Sequence, residues 1–243
     1  MPRKSKLVVL AGWKYEPEWL VEDMKKNLHW VDDFAIVDCR DRDELWIHEG
    51  DYRLKAREMA REMKADWCLW TSPDERWEDR AGEIIRPLID YDRDMRIYEF
   101  LLRELVHPLW YRTDGIWGTK FRRRLFPLRD DQIMRYQPIQ VGGVPHGDFP
   151  VDSLDINIYH LKMIEPENRR IRAEVFNALD PKGIYQPIGY DYLDDEREAT
   201  VERIPGGREY SPPYTKPYYF KVPQKYLDEA RDSNNVLQEQ EGD

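Results

Sequence analysis

The chain has 243 residues, with 48 Asp and Glu against 38 Lys and Arg, hence a formal charge of −10 at pH 7. Nine Trp, fifteen Tyr and seven Phe exceed what a disordered chain carries, and the length suits one core of sheet and helices. The acidic balance argues against a polyanion binder acting through its whole surface, while a local basic groove stays compatible with it.

No run approaches the roughly 18–20 apolar residues needed to cross a bilayer, and the apolar stretch after Lys6 is too short for a signal peptide. A cytoplasmic protein is expected. Cys39 and Cys68, each in or at the end of an apolar run, read as buried free thiols suited to a reducing compartment.

Taken in order, Leu7-Val8-Val9-Leu10-Ala11 before Gly12 reads as a strand buried on both faces. Glu16-Pro17-Glu18 opens a helix with Trp19, Leu20, Met24 and Leu28 inward. Residues 34–38 form a second strand. Residues 52–64 read as a helix with Leu54, Met59 and Met63 inward and Arg53, Arg57 and Arg61 repeating every four residues. Residues 67–71 are a third strand. Strands alternating with helices predict an open, mostly parallel, doubly wound α/β sheet, because parallel strands need crossover helices. Ligands in such sheets bind beyond the carboxyl ends of the strands. No G-x-G-x-x-G or P-loop follows the first strand, so dinucleotide and ATPase readings lose support.

Further along, residues 77–90 are predicted as a helix, 95–106 as a strand, 121–126 as a basic strand, 156–160 as a strand, and 166–179 as a charged helix. Beyond about residue 195 patterning fades into an extended Pro- and Tyr-rich arm, and the last dozen residues, polar and acidic, read as disordered. The expected organisation is one domain over 1–195, with a nucleotide-binding half to about 92 and an acceptor half from 93, then the arm over 196–243.

The sharpest feature is the third strand running into Ser72-Pro73-Asp74-Glu75. On its own this turn serves equally as a helix cap or as a pair of carboxylates at a site. The segment resembles the strand and metal motif of GT-A glycosyltransferases, particularly family 2-like enzymes, in which a strand ends in Asp-X-Asp-Glu. Ser72 stands in place of the first Asp, while Asp74 and Glu75 match the second Asp and the Glu. The resemblance implies a GT-A type sheet with flanking helices, and Asp74 as ligand to Mn²⁺ or Mg²⁺. Such an ion neutralises the charge developing on a departing nucleoside diphosphate.

The likeness extends over about residues 5–195. It implies that Ala11-Gly12-Trp13 packs near the base and that Asp38 holds base or ribose, although Asp38 also suits a turn cap. Tyr52-Arg53 with Arg57 resembles the family's basic helix facing the nucleotide; an arginine stripe is otherwise a solvated face. Trp110-Tyr111-Arg112-Thr113-Asp114-Gly115, followed by Arg123-Arg124-Leu125-Phe126, is similar to the acceptor-side segment. Ile158-Tyr159-His160-Leu161 with the charged helix after it resembles the late strand whose histidine completes the metal or diphosphate site, which implies that role for His160.

Inverting members use an Asp or Glu as base, usually from a short acidic motif that has no clear counterpart here. Asp130-Asp131 reads as a surface turn. Asp114, between Trp110 and Trp117, ranks first as base, and His146-Gly147-Asp148 second. The expected activity is metal-dependent transfer of a sugar from a UDP- or GDP-type nucleotide sugar to an acceptor hydroxyl. The acceptor would be a polysaccharide, a protein or a hydroxylated DNA base, as in phage-encoded family 2-like enzymes that decorate modified bases. A nucleotidyltransferase is the alternative on a similar sheet, but Gly12-Trp13-Lys14-Tyr15 supplies only a fragment of its Gly-rich basic loop. A carbohydrate- or nucleic-acid-binding module using Arg122-Arg123-Arg124 and the aromatics is the non-enzymatic one.

Overall fold

Leu7–Trp13 forms the strand β1 on which the sheet is built; in the computed structural model the described residues are 4–40, 49–92, 95–133, 143–145, 147, 149–197 and 199–219. After it come α1 (Glu18–Asn27), β2 (Asp33–Asp38), α2 (Glu49–Glu62), β3 (Trp67–Trp70), β4 (Glu75–Trp77) and α3 (Ala81–Tyr91). The second half contributes β5 (Ile97–His107), β6 (Trp110–Arg112), β7 (Phe121–Pro127), β8 (Val151–His160), α4 (Pro166–Leu179) and β9 (Val201–Arg203).

β1 lies between β2 and β3, parallel to both, with Leu10 opposite Ala35 on one side and Trp70 on the other. Its unbroken apolar run follows from burial on two faces. Leu7, Val9 and Ala11 pack with Val21 and Met24 of α1 and Ile85 and Ile89 of α3. Val8 and Leu10 point the other way, to Tyr52, Ala56 and Ala60 of α2. This is the helix-covered open α/β sheet that the periodicity predicts.

The sheet continues past β3 through β7 and β5, both in antiparallel pairings, and β8 returns parallel to β5. β4 departs from the helix expected from residue 77. Glu75, Arg76 and Trp77 are all buried and pair antiparallel with His160, Tyr159 and Ile158, and α3 begins only at Ala81. Three residues are too few for a periodic signal. Nor is the start of the arm merely extended: β9 pairs with β6, and Tyr210, Tyr214 and Tyr218 are buried beside Leu20, Leu105 and Tyr159.

Cys39 and Cys68 are buried free thiols, and burial pushes Cys68 up to about 12. Among the described residues no helix is long and apolar enough to cross a membrane.

One side chain holds β4 to α1. The amide of Asn27 donates to the Trp77 carbonyl at 2.9 Å, and its oxygen accepts the Trp77 N–H at 2.7 Å. Asn27→Ala strands both buried backbone groups, so urea denaturation should show a loss of about 2–4 kcal/mol, the sum of two unsatisfied groups.

Candidate functional site

A cavity of about 580 Å³ opens beyond the carboxyl ends of β1 and β3. One wall holds Gly12, Lys14, Tyr52, Arg53 and Trp70; the opposite wall holds Lys120, Arg122, Arg124, Arg172 and Phe176. Gly12 is required by packing. A Cβ there would lie 2.6 Å from the Tyr52 ring, so glycine lets α2 close onto the strand end.

The chain leaves β3 in a turn that Glu75 ties down: its Oε2 accepts from the Thr71 hydroxyl and the Ser72 N–H, each at 3.0 Å. Its Oε1 accepts from Arg124. The next residues enter β4 rather than a helix, so the turn caps itself. The same pairing of β4 with β8 brings Asp74 beside the end of β8, where the Leu161 N–H donates to the Asp74 carbonyl at 2.8 Å.

The floor is thereby a buried line of alternating charges. Lys120 donates to Glu104 Oε1 at 2.6 Å, and His160 Nδ1 lies 2.5 Å from Glu104 Oε2. His160 Nε2 is 3.6 Å from Asp74 Oδ2, and Lys162 Nζ is 3.0 Å from that same oxygen. Lys162 also donates to the Tyr15 hydroxyl at 2.6 Å, and the Tyr218 hydroxyl donates to Asp74 Oδ2 at 3.1 Å.

Electrostatics follow from this order. Burial opposes the charge of Asp74, but Lys162 and His160 hold the carboxyl well below the usual range. Burial likewise opposes Glu104, and His160 and Lys120 prevail there too. Burial opposes the charge of His160, but Glu104 and Asp74 on either side of it raise it above its ordinary value. Lys120 behaves differently. Burial pulls it down against Glu104, Arg122 and Arg172 add to the pull, and it falls to about 8. On the wall of β1 and α2 Lys14 is also buried, but Glu49 at 3.0 Å keeps it charged.

The residues expected to form the site separate. Asp74 and His160 come together, as the resemblance implies. Gly12 and Arg53 line the cavity, with Arg53 4.5 Å over the Trp70 ring. Ala11 is a core residue under α1. Trp13 and Asp38 sit at the neighbouring strand ends, outside the cavity lining: Arg40 lies 3.5 Å over the Trp13 ring and binds Asp38 at 2.6 Å. Arg57 points away, buried, with its guanidinium donating to the Arg129 carbonyl at 2.8 Å and to Gln132. Its place on the arginine stripe does not share Arg53's surroundings, because α2 crosses from the cavity to the turn after β7.

Asp114 is likewise outside the cavity. Arg112 grips it with two N–H groups at 3.1 and 2.5 Å, and the Thr200 N–H donates to it at 3.1 Å. The Arg112 bond holds its carboxyl below the usual range, which does not suit a proton acceptor. Trp117 is 2% exposed and packs with Met163, Phe176 and Tyr190 as a core residue, whereas Trp110 is exposed at the pairing of β6 with β9. His146 and Asp148 lie outside the described residues.

Asp74 and His160 as arranged do not fit a divalent metal. Asp74 Oδ1 is buried without a hydrogen-bond partner, but Oδ2 is taken up by Lys162 and Tyr218, and both His160 ring nitrogens are turned to carboxylates, Nδ1 to Glu104 and Nε2 to Asp74. No group of three His, Cys, Asp or Glu able to hold an ion occurs among the described residues. The ammonium of Lys162 is the cation that Asp74 holds.

Glu104, Lys120 and Lys162 were missed in the sequence. Lys162 had a signal, standing two residues past His160 at the same strand end. Glu104 and Lys120 had none, since they meet His160 only through the register that sets Glu104 opposite it.

No protein-family model matches the chain, and no curated protein matches it. Among solved structures it is similar to a crystal structure of a glycosyltransferase involved in the glycosylation of the major capsid of PBCV-1. The identity is 14% and the TM-score 0.33, over 51% of this chain and 60% of that one, so the chain matches less than two thirds of that protein's length.

Two outcomes are expected. Lys120 is charged below about 8 and neutral above it, so pyrophosphate binding should weaken as pH rises through that value. The ligand itself gains charge over that range, so the weakening must come from the protein. Titration calorimetry checks this, and Lys120→Met should remove the inflection. Asp114→Asn should lower stability by about 1–2 kcal/mol in urea denaturation while leaving nucleoside-diphosphate affinity unchanged.

Proposed function

We propose that the cavity binds a nucleotide sugar and that the protein transfers its sugar to an acceptor hydroxyl. The observation that carries this reading is the cation-lined cavity beyond the carboxyl ends of β1 and β3, with Lys162 held by Asp74 at the end of the metal-motif strand. Open α/β sheets bind ligands at that end of their strands. The motif resemblance gives the reaction class, and the polar lining gives the charge that a diphosphate needs.

In this reading the nucleoside lies along the wall of Trp70, Tyr52 and Arg53, an aromatic bed under a guanidinium. The diphosphate faces Lys162. As the bond from the anomeric carbon to the diphosphate oxygen breaks, negative charge grows on that oxygen. A fixed ammonium aimed at it stabilises the transition state more than the ground state. Asp74 and Tyr15 orient that ammonium, and the cation is in place before the donor arrives.

The test is titration of UDP and GDP in excess EDTA, followed by release of free nucleoside diphosphate from a panel of nucleotide sugars. Binding should persist in EDTA, and Lys162→Ala should weaken it by about tenfold to a hundredfold, the value of one charge-assisted hydrogen bond. Binding that needs Mn²⁺ would return the cation role to a metal. No binding of either nucleotide, with or without Mn²⁺, would sink the donor assignment altogether.

A further inference from the structure

Every cation of the cavity has a carboxylate beside it except two. Lys14 has Glu49, Lys162 has Asp74 and Lys120 has Glu104, while Arg124 has Glu75. Arg53 lies 3.6 Å from Glu49, and Arg123 lies 4.0 Å from Glu99. Among the described residues, Arg122 of β7 and Arg172 of α4 have no such ion pair. Arg122 reaches only the carbonyl of Phe121, at 3.1 Å. Arg172 reaches only the Met163 sulfur, at 3.8 Å, and the Phe176 ring, at 5.5 Å.

These two guanidiniums share one wall with Lys120. Arg122 is exposed by surface area yet enclosed by protein, as a side chain standing in a concave site must be. Burial lowers its pKa, and the like charges of Arg124 and Arg172 lower it further against the opposing pull of Glu104. A gathering of like charges that outnumber the one carboxylate near them, Glu104, is unfavourable in the free protein and is relieved by a bound anion. Two guanidiniums match the forked geometry of a phosphate.

Resting on the transferase reading above, we propose that Arg122 and Arg172 bind a phosphate group carried by the acceptor, at a subsite distinct from the donor diphosphate at Lys162. The donor occupies the wall formed by β1, α2 and the turn after β3, which leaves the wall of β7 and α4 to the second substrate. A small phosphate ester fits better than a nucleic acid. A polyanion needs a continuous track of open cations across the surface, and several outer arginines already have an acid beside them. Arg40 is bound to Asp38, Arg129 to Asp131, Arg170 to Glu167 and Arg197 to Asp195.

The experiment is titration calorimetry of the full chain saturated with UDP, using inorganic phosphate, a hexose phosphate, a short-chain polyprenyl phosphate and a single-stranded DNA oligomer as probes. Phosphate and at least one ester should bind alongside UDP. The hexose and polyprenyl arms tell a free sugar phosphate from a lipid headgroup. Arg122→Ala and Arg172→Ala should each weaken phosphate at least tenfold and leave UDP affinity within about twofold, and Arg172→Lys should fall between wild type and alanine. Circular dichroism melts confirm that each variant is folded. Competition between phosphate and UDP, or a loss of UDP affinity in Arg172→Ala, would place the pair in the donor site and overturn the proposal. DNA binding that depends on both arginines overturns it in favour of a nucleic acid acceptor, and phosphate binding unchanged in both alanine variants removes the subsite. If UDP fails to bind while phosphate binding still depends on both arginines, the donor reading fails and the anion subsite stands.

Discussion

The site depends on a line of five buried charges of alternating sign, from Lys120 through Glu104, His160 and Asp74 to Lys162. No member is tolerable alone. A charge taken out of water loses several kcal/mol of solvation, and deleting one partner of a buried pair typically destabilises by about 3–5 kcal/mol because the other is left bare. The line therefore demands its geometry. It draws together β5, β8, the turn after β3, the start of β7 and the turn after β8, elements far apart in sequence.

Water exclusion keeps those interactions strong, and the segment after β9 supplies part of it. Tyr210 packs on Tyr159 with ring centroids 5.3 Å apart, Tyr214 donates to Glu165 at 2.9 Å, and Tyr218 reaches Asp74 itself. Asp74 is consequently fully buried, while Glu104, His160 and Lys162 border the cavity. In this low-dielectric floor each pairing is worth more than it would be in water, and the ammonium of Lys162 is aimed rather than mobile. A fixed cation needs no reorganisation when charge develops beside it.

The parts of this arrangement legible in the sequence were those that repeat locally. β1, β2 and β3 declared themselves by apolar runs, and α4 by its Pro at the start and Asp-Pro at the end. Asp74 and His160 were found because each ends a strand of recognisable pattern. β4 escaped because three residues carry no period, and with it went the reason why Asp74 and His160 meet. Glu104 sits in a strand of mixed polarity where neither alternation nor motif marks one carboxylate above another. Asp114 illustrates the opposite ambiguity: aromatic residues around an acid describe a sugar platform and a structural turn equally well. Only Arg112, two residues away, decides between them, and its orientation depends on the pairing of β6 with β9.

The charge balance of the whole chain also acquires a meaning. A protein of net charge −10 gathers Arg122 and Arg172 without an ion pair inside a cavity, while Arg40, Arg129 and Arg170 on its surface are paired with acids nearby. An anionic ligand approaching from a distance meets an unfavourable field, screened beyond roughly 10 Å at 0.1 M salt, and meets attraction only within the mouth. That profile penalises ligands in proportion to the charge they must leave outside. A small ester, whose phosphates all enter the cavity, escapes the penalty; a long polyanion, most of whose phosphates remain over the acidic exterior, does not. The excess of acids over bases, which at the level of composition only argued against a whole-surface polyanion binder, thus becomes, on the proposed reading, a filter on the size of the anion that the basic cavity admits.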